Sequence, residues 1–322
     1  MNNYLNKKIY SLVIRSILVL TVTACNENPA DYTDDSTSLK INSVEIEYEA
    51  QSRTALWHTT FPAGARIGTA LYSNNSGMQV GVITQWNKTN TAWTTSTPMT
   101  LGSDTCTAYA YYPYDPGVTD LRNIPIDYNQ SDYMIAASEQ KDISNAPGKN
   151  GASFIMKHVM TRMALRINKS SLYKGEGDLT YMAIRNAPNK NVMPTNCSLL
   201  TLNALNGEII HRNKPEKGTG LELKKADGSP VGYPIRLTTN FQSEVIGEII
   251  LAPFTFTDGE IEIFLIVDGT EFIIPVPKPS GLSIPAANGG WNTGHNYRYN
   301  LTLLPKHISI NSISVNDWVE VF

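Results

Sequence analysis

The chain has 322 residues, 41% hydrophobic and 17% charged, which is enough to bury a sizeable core and too apolar for a disordered solvating tail. Its 26 basic and 29 acidic side chains leave a formal charge of −3 with no basic face, so composition argues against nucleic acid as a partner. Three cysteines are too few for a disulfide framework and lack metal-ligand spacing, and at about 150 residues per domain the length suggests roughly two domains.

Lys7, Lys8 and Arg15 precede a short apolar run that ends in small residues directly before Cys25, the pattern of a bacterial secretory signal over residues 1–24. The run is shorter than the ~20 residues a bilayer requires. Val22-Thr23-Ala24-Cys25 is similar to the lipobox of lipoproteins, which implies acylation of Cys25 and attachment to a membrane without spanning it. Residues 26–38 are polar and acidic without periodicity and read as a tether.

From Leu39 onward apolar residues alternate at period two. The predicted strands fall at residues 39–48, 65–72, 79–86, 105–112, 133–137, 154–167, 179–185, 198–202, 207–211, 248–251, 260–267, 271–276 and 297–304. Between them stand Asn206-Gly207, Asp227-Gly228, Asp258-Gly259 and Asp268-Gly269, turn pairs that favour hairpins and hence an all-β fold of antiparallel β-sandwiches. The 154–167 stretch is long enough for a helix, but its β-branched and aromatic content favours one long strand. The loop-like interval 142–152 is the expected boundary, giving an N-terminal domain over 54–150 and a C-terminal domain over 151–322.

No catalytic, cofactor or metal site is expected. The five histidines are scattered, and neither a nucleophile elbow nor a phosphate loop occurs. Cys106 and Cys197 fall in different expected domains and read as two separate buried thiols.

Several patterns recur in order: Ser52-Arg53-Thr54; Trp57-x3-Phe61-x2-Gly64-x2-Ile67-Gly68; Trp86 and Trp93; the run from Ala108 to Tyr114; Asp127-Tyr128 and Asp132-Tyr133-Met134; Phe154-x3-His158; and Trp291-x2-Gly294-x2-Tyr297-x-Tyr299-x-Leu301. The succession over residues 53–322 resembles the fimbrillin superfamily of Bacteroidetes, pilin-like lipoproteins. The resemblance implies two transthyretin-like sandwiches in tandem, export to the outer membrane, and other fimbrial subunits as partners. Within it, Tyr111, Tyr112 and Tyr114 are expected in the core or seam, with Pro113 at an edge or bend because it cannot donate to a ladder. His158 is expected as a hydrogen-bonded core residue, and Trp291 and Tyr297 as anchors of the final strands.

The resemblance also implies trimming by a trypsin-like protease after Arg53, so that the mature chain starts at Thr54 and has lost its first strand. A strand removed from a core leaves an apolar groove with unpaired backbone groups, which a foreign strand can satisfy if it repeats the lost spacing. Residues 39–46 (LKINSVEI) and 308–315 (ISINSISV) match at a constant offset of 269 residues. Leu39, Ile41, Val44 and Ile46 align with Ile308, Ile310, Ile313 and Val315. Both copies carry an apolar step of three, which needs a bulge to hold all four side chains on one face. Residues 307–322 are therefore a candidate donor strand; the alternative is two outer strands, each of its own domain. A second functional reading is a lipid-anchored surface adhesin that does not polymerise and contacts a host or glycan receptor through exposed Trp86 and Trp93.

Overall fold

The computed structural model describes residues 37–49, 56–128, 132–211, 220–240, 245–279 and 289–318. In chain order the strands are β1 (Lys40–Glu49), β2 (Leu56–Thr60), β3 (Arg66–Ser73), β4 (Gln79–Lys88), β5 (Trp93–Thr94), β6 (Cys106–Tyr112), β7 (Ile124–Pro125), β8 (Met134–Ala137) and β9 (Gly151–His158). There follow β10 (Thr161–Lys169), β11 (Asp178–Asn186), β12 (Leu200–Asn203), β13 (Glu208–His211), β14 (Leu221–Glu222), β15 (Ile235–Arg236), β16 (Gly247–Leu251) and β17 (Phe254–Thr255). The last are β18 (Ile261–Val267), β19 (Thr270–Pro275), β20 (Gly290–Trp291), β21 (His295–Leu303) and β22 (Ile308–Asp317). The fold is all-β, and among the described residues the one helical turn is a 3-10 turn at Cys197–Leu199.

An eight-stranded sheet runs in the order β2-β1-β9-β8-β6-β3-β4-β5. Its inward side chains, among them Val44, Ile46, Ile67, Leu71, Trp86 and Phe154, form one buried cluster. In the C-terminal half a sheet ordered β16-β10-β21-β22 and a sheet ordered β14-β11-β18-β19 share a second cluster, built on Leu165, Met182, Ile263, Trp291 and Tyr299. A third cluster joins residues of both halves, including Tyr111, Leu121, Tyr133, Met160, Leu202 and Trp318.

Two-residue turns set the hairpin registers. Val267 pairs with Thr270 across Asp268 and Gly269, whose φ values of 49° and 76° are those of a type I′ turn. The Asp268 carboxylate also accepts from the Gly177 and Asp178 N–H groups at 2.8 Å, which ties this hairpin to the start of β11.

The predicted strand over 154–167 is two strands. β9 ends at His158 and β10 starts at Thr161, and they lie in different sheets. Inward positions are even in β9 (Ala152, Phe154, Met156, His158) and odd in β10 (Met163, Leu165, Ile167), so the change of phase marks the break. The sequence places residues 151–158 in the C-terminal domain, but β9 pairs with β1 and β8. The chain thus leaves the first sheet at Val159–Met160 rather than in the 142–152 loop.

At Gly68 the packing leaves no room for a side chain. A Cβ there would lie 2.6 Å from Cζ of Tyr111, which is fully buried and whose hydroxyl donates to the Asp115 carbonyl at 3.1 Å. Gly68→Ala should lower stability by about 2–3 kcal/mol, read as a fall in the thermal unfolding midpoint.

Candidate functional site

The first strand is held on both sides. β1 pairs antiparallel with β2 (Glu45 with Thr60 through Glu49 with Leu56) and parallel with β9 (Lys40 with Gly151 through Ile46 with Met156). Leu39 N–H donates to Met99 O at 2.9 Å, Lys40 N–H to Asn150 O at 2.8 Å, and Lys157 meets Glu47 at 2.9 Å. Leu39, Val44 and Ile46 are at most 3% exposed, and Ile41 is partly buried. Ile41, Val44 and Ile46 stand opposite Ala152, Phe154 and Met156, the core-facing side chains of β9.

The bulge expected from the sequence lies in this strand. Ile41 pairs with Ala152 and Ser43 with Ser153, so Asn42 is the extra residue. Its amide lies over Gly151, where a Cβ would overlap it.

At the other end of the chain β22 pairs antiparallel with β21. Ile308, Ile310, Ile313 and Val315 face Leu303, Leu301, Tyr299 and Tyr297, all core-facing. Ile310 pairs with Leu301 and Ser312 with Asn300, so the extra residue is Asn311, the counterpart of Asn42 at the same offset. The two strands therefore share apolar register and bulge position. They differ in surroundings. β22 is the last strand of its sheet, and only Ile308 of its four apolar residues is buried, at 7% exposure; Ile310, Ile313 and Val315 are partly buried.

The aromatic residues of the sequence pattern are structural. Trp291 Nε1 donates to the Tyr299 hydroxyl at 3.0 Å, and the Tyr297 hydroxyl accepts from Asn292 N–H at 2.9 Å, all three rings being buried under β21. Tyr111 lies in the cluster that joins the two halves, with Tyr114 packed against it, while Tyr112 packs beside Phe61. His158 is a buried histidine whose Nδ1 is bonded to Asp132, and Asp132 also accepts from Tyr133 N–H at 2.8 Å. Burial pushes the Asp132 carboxyl up from its ordinary range, and the His158 contact opposes that shift.

Trp86 and Trp93 are not exposed, which corrects the expectation that they form a binding surface. They are 4% and 6% exposed. Trp86 Nε1 donates to Thr69 Oγ1 at 2.9 Å, and Trp93 packs edge-on to Phe61 at 5.8 Å. Thr84 and Trp86 of β4 point inward, whereas Val82, within the register shift opposite Thr69 to Leu71, is 76% exposed.

Cys106 is a buried thiol, pushed up by burial, and Cys197 a half-buried one; both are free. Among the described residues no group of His, Cys, Asp or Glu could hold a metal ion, and no helix is long and apolar enough to cross a membrane. Cys25, Arg53 and Thr54 lie outside the described residues, the last two in the connection between β1 and β2. Sequence reasoning missed Gly151 beneath the bulge, and it missed Trp318. The signal for the latter was an aromatic residue directly after a stretch rich in Ser and Asn.

A family comparison matches residues 52–318 to a family described as fimbrillin-like. No curated protein matches the chain by sequence. Among solved structures, a putative cell adhesion protein from Bacteroides uniformis is similar with a TM-score of 0.58 at 17% identity, covering 89% of this chain and 99% of that one. A putative cell adhesion protein from Bacteroides ovatus gives 0.57 at 14%, covering 88% and 99%. A fimbrial protein from Bacteroides vulgatus gives 0.52 at 12%, covering 88% and 100%. At these identities the likeness is one of fold.

Proposed function

The chain belongs to the fimbrillin-like family, and from that premise we propose that it is a stalk or tip subunit of a cell-surface fimbrium, assembled with other subunits by exchange of a strand. The family is structural rather than enzymatic, so the chain serves as a fimbrial subunit or in adhesion. In this reading it is exported as an outer-membrane lipoprotein precursor acylated on Cys25 and cut after Arg53. β1 then leaves, and the segment carrying Ile308, Ile310, Ile313 and Val315 of another subunit takes its place.

One observation carries the proposal. The same apolar register with the same bulge occurs in a strand with two neighbours, β1, and in a strand with one, β22. Moving β22 into the place of β1 would give its backbone two ladders and bury its half-exposed side chains, gains that offset the loss of its ladder with β21 once the place is empty.

The test is trypsin treatment of the lipidated precursor. The expected product begins at Thr54 and then forms ladders on unheated gels. A precursor that is not cut there, or a cut product that stays monomeric at high concentration, would remove the reading in favour of a permanently anchored protein.

A further inference from the structure

We propose that Trp318 is a latch: stacked on His158, it keeps β22 on its own chain while β1 is present. The inference rests on the strand-exchange reading and adds how the donor is kept from leaving early.

The likeness of the tail to β1 stops before this residue. At the offset of 269 Trp318 falls on Glu49, the last residue of β1, so the indole copies nothing in that strand. Yet Trp318 is 1% exposed, whereas three of the four residues that do copy β1 are only partly buried. The deepest attachment of this tail therefore belongs to its place on its own chain.

What holds Trp318 is specific. Its ring lies on the His158 imidazole with centroids 4.8 Å apart and planes within 5° of parallel. The Arg162 guanidinium, paired with Glu248, is 5.9 Å from the indole ring. The backbone N–H of Trp318 donates to Gly294 O at 2.8 Å, and the Gly294 N–H donates to Met160 O at 2.8 Å, at the crossing between β9 and β10.

The platform is also the neighbour of the strand that leaves. His158 is the last residue of β9, whose residues 151–156 form the parallel ladder with β1, and the adjacent Lys157 is paired with Glu47 of β1. Loss of β1 strips one of its two ladders from β9 and frees Lys157, so the end of β9 that carries the latch is loosened on one side and held by β8 alone. The latch is also breakable. Burying an indole is strongly favourable, but Trp318 Nε1 finds no hydrogen-bond partner among the described residues, and an unpaired buried donor offsets part of that gain.

Hydrogen exchange on the full chain tests this. In Trp318→Ala the β22 amides should exchange at least about tenfold faster than in the parent, while β10, β11 and β18 keep their protection. Trp318→Phe, which retains a stacking ring, should stay close to the parent. Trimming the parent after Arg53, at a dilution where no ladders form, should speed β22 exchange in the same way. Unchanged β22 protection in Trp318→Ala overturns the latch, even where the parent assembles. So does general loss of protection in β10, β11 and β18, which would make Trp318 an ordinary core residue. Unchanged β22 protection after trimming overturns it as well. Fast β22 exchange in both Trp318→Ala and the trimmed parent, with neither trimmed protein ever assembling, keeps the latch and removes strand exchange.

Discussion

A chain that ends at Lys306 is expected to be trimmed after Arg53 like the full chain and then to remain a monomer, with no ladder on unheated gels at any concentration. The expectation follows from what the missing segment supplies. In the place of β1, Leu39, Val44 and Ile46 are almost wholly buried, and full burial of three aliphatic side chains is worth roughly 5–9 kcal/mol. A donor without them loses about three or more orders of magnitude in association, before any ladder hydrogen bond is counted. The truncated chain itself should still fold. β22 is the edge of its sheet, and of the removed residues that are described only Ile308 and Trp318 are buried, at 7% and 1% exposure. The precursor should therefore unfold in one cooperative thermal transition at a lowered midpoint, and its trypsin product should begin at Thr54. A truncated protein that folds and still forms fibres would sink strand exchange through this segment.

What the sequence made legible was mostly what alternation encodes. Most of the long strands were visible as period-two runs, because a half-buried strand shows one face to a core, while β2 (Leu56–Thr60) was not. β5, β7, β14, β15, β17 and β20 were not, since two residues carry no period. The bulges at Asn42 and Asn311 were legible because an apolar step of three inside an alternating run has one structural solution. The same logic, applied to the even-to-odd change after His158, would have located the crossing from β9 to β10. Val159 and Met160, both apolar, hide that crossing by filling the gap with unbroken hydrophobicity. Trp86 and Trp93 misled for the opposite reason. Aromatic residues in a Thr-rich segment suggest a binding face, yet Trp86 and Thr84 share the inward side of β4, beyond a register shift that leaves Val80 and Val82 outside and that alternation does not reveal. The partners of Trp318 were not legible at all. His158, Arg162 and Gly294 come from three separate elements, and nothing local to residue 318 names them.

The double substitution Ile313→Ser with Val315→Ser should abolish assembly, while Asn311→Ala leaves it near the parent level. In the parent, Ile308, Ile310, Ile313 and Val315 face Leu303, Leu301, Tyr299 and Tyr297, with Asn311 skipped in the ladder. The turn that closes the hairpin, with Leu304 N–H donating to His307 O at 2.8 Å, fixes the first pair of isoleucines. On its own chain the cost of the two serines is modest, since Ile313 and Val315 are only partly buried. In the place of β1 the positions they would fill are those of Val44 and Ile46, 3% and 1% exposed. Two aliphatic side chains lost there amount to roughly 3–6 kcal/mol, or at least about a hundredfold in association. Ladder formation by the trimmed double variant, measured against trimmed Asn311→Ala at equal concentration, decides the matter. Equal assembly of the two would mean that the donor needs no apolar pair at these positions, and the correspondence between residues 39–46 and 308–315 would then have no part in how subunits join.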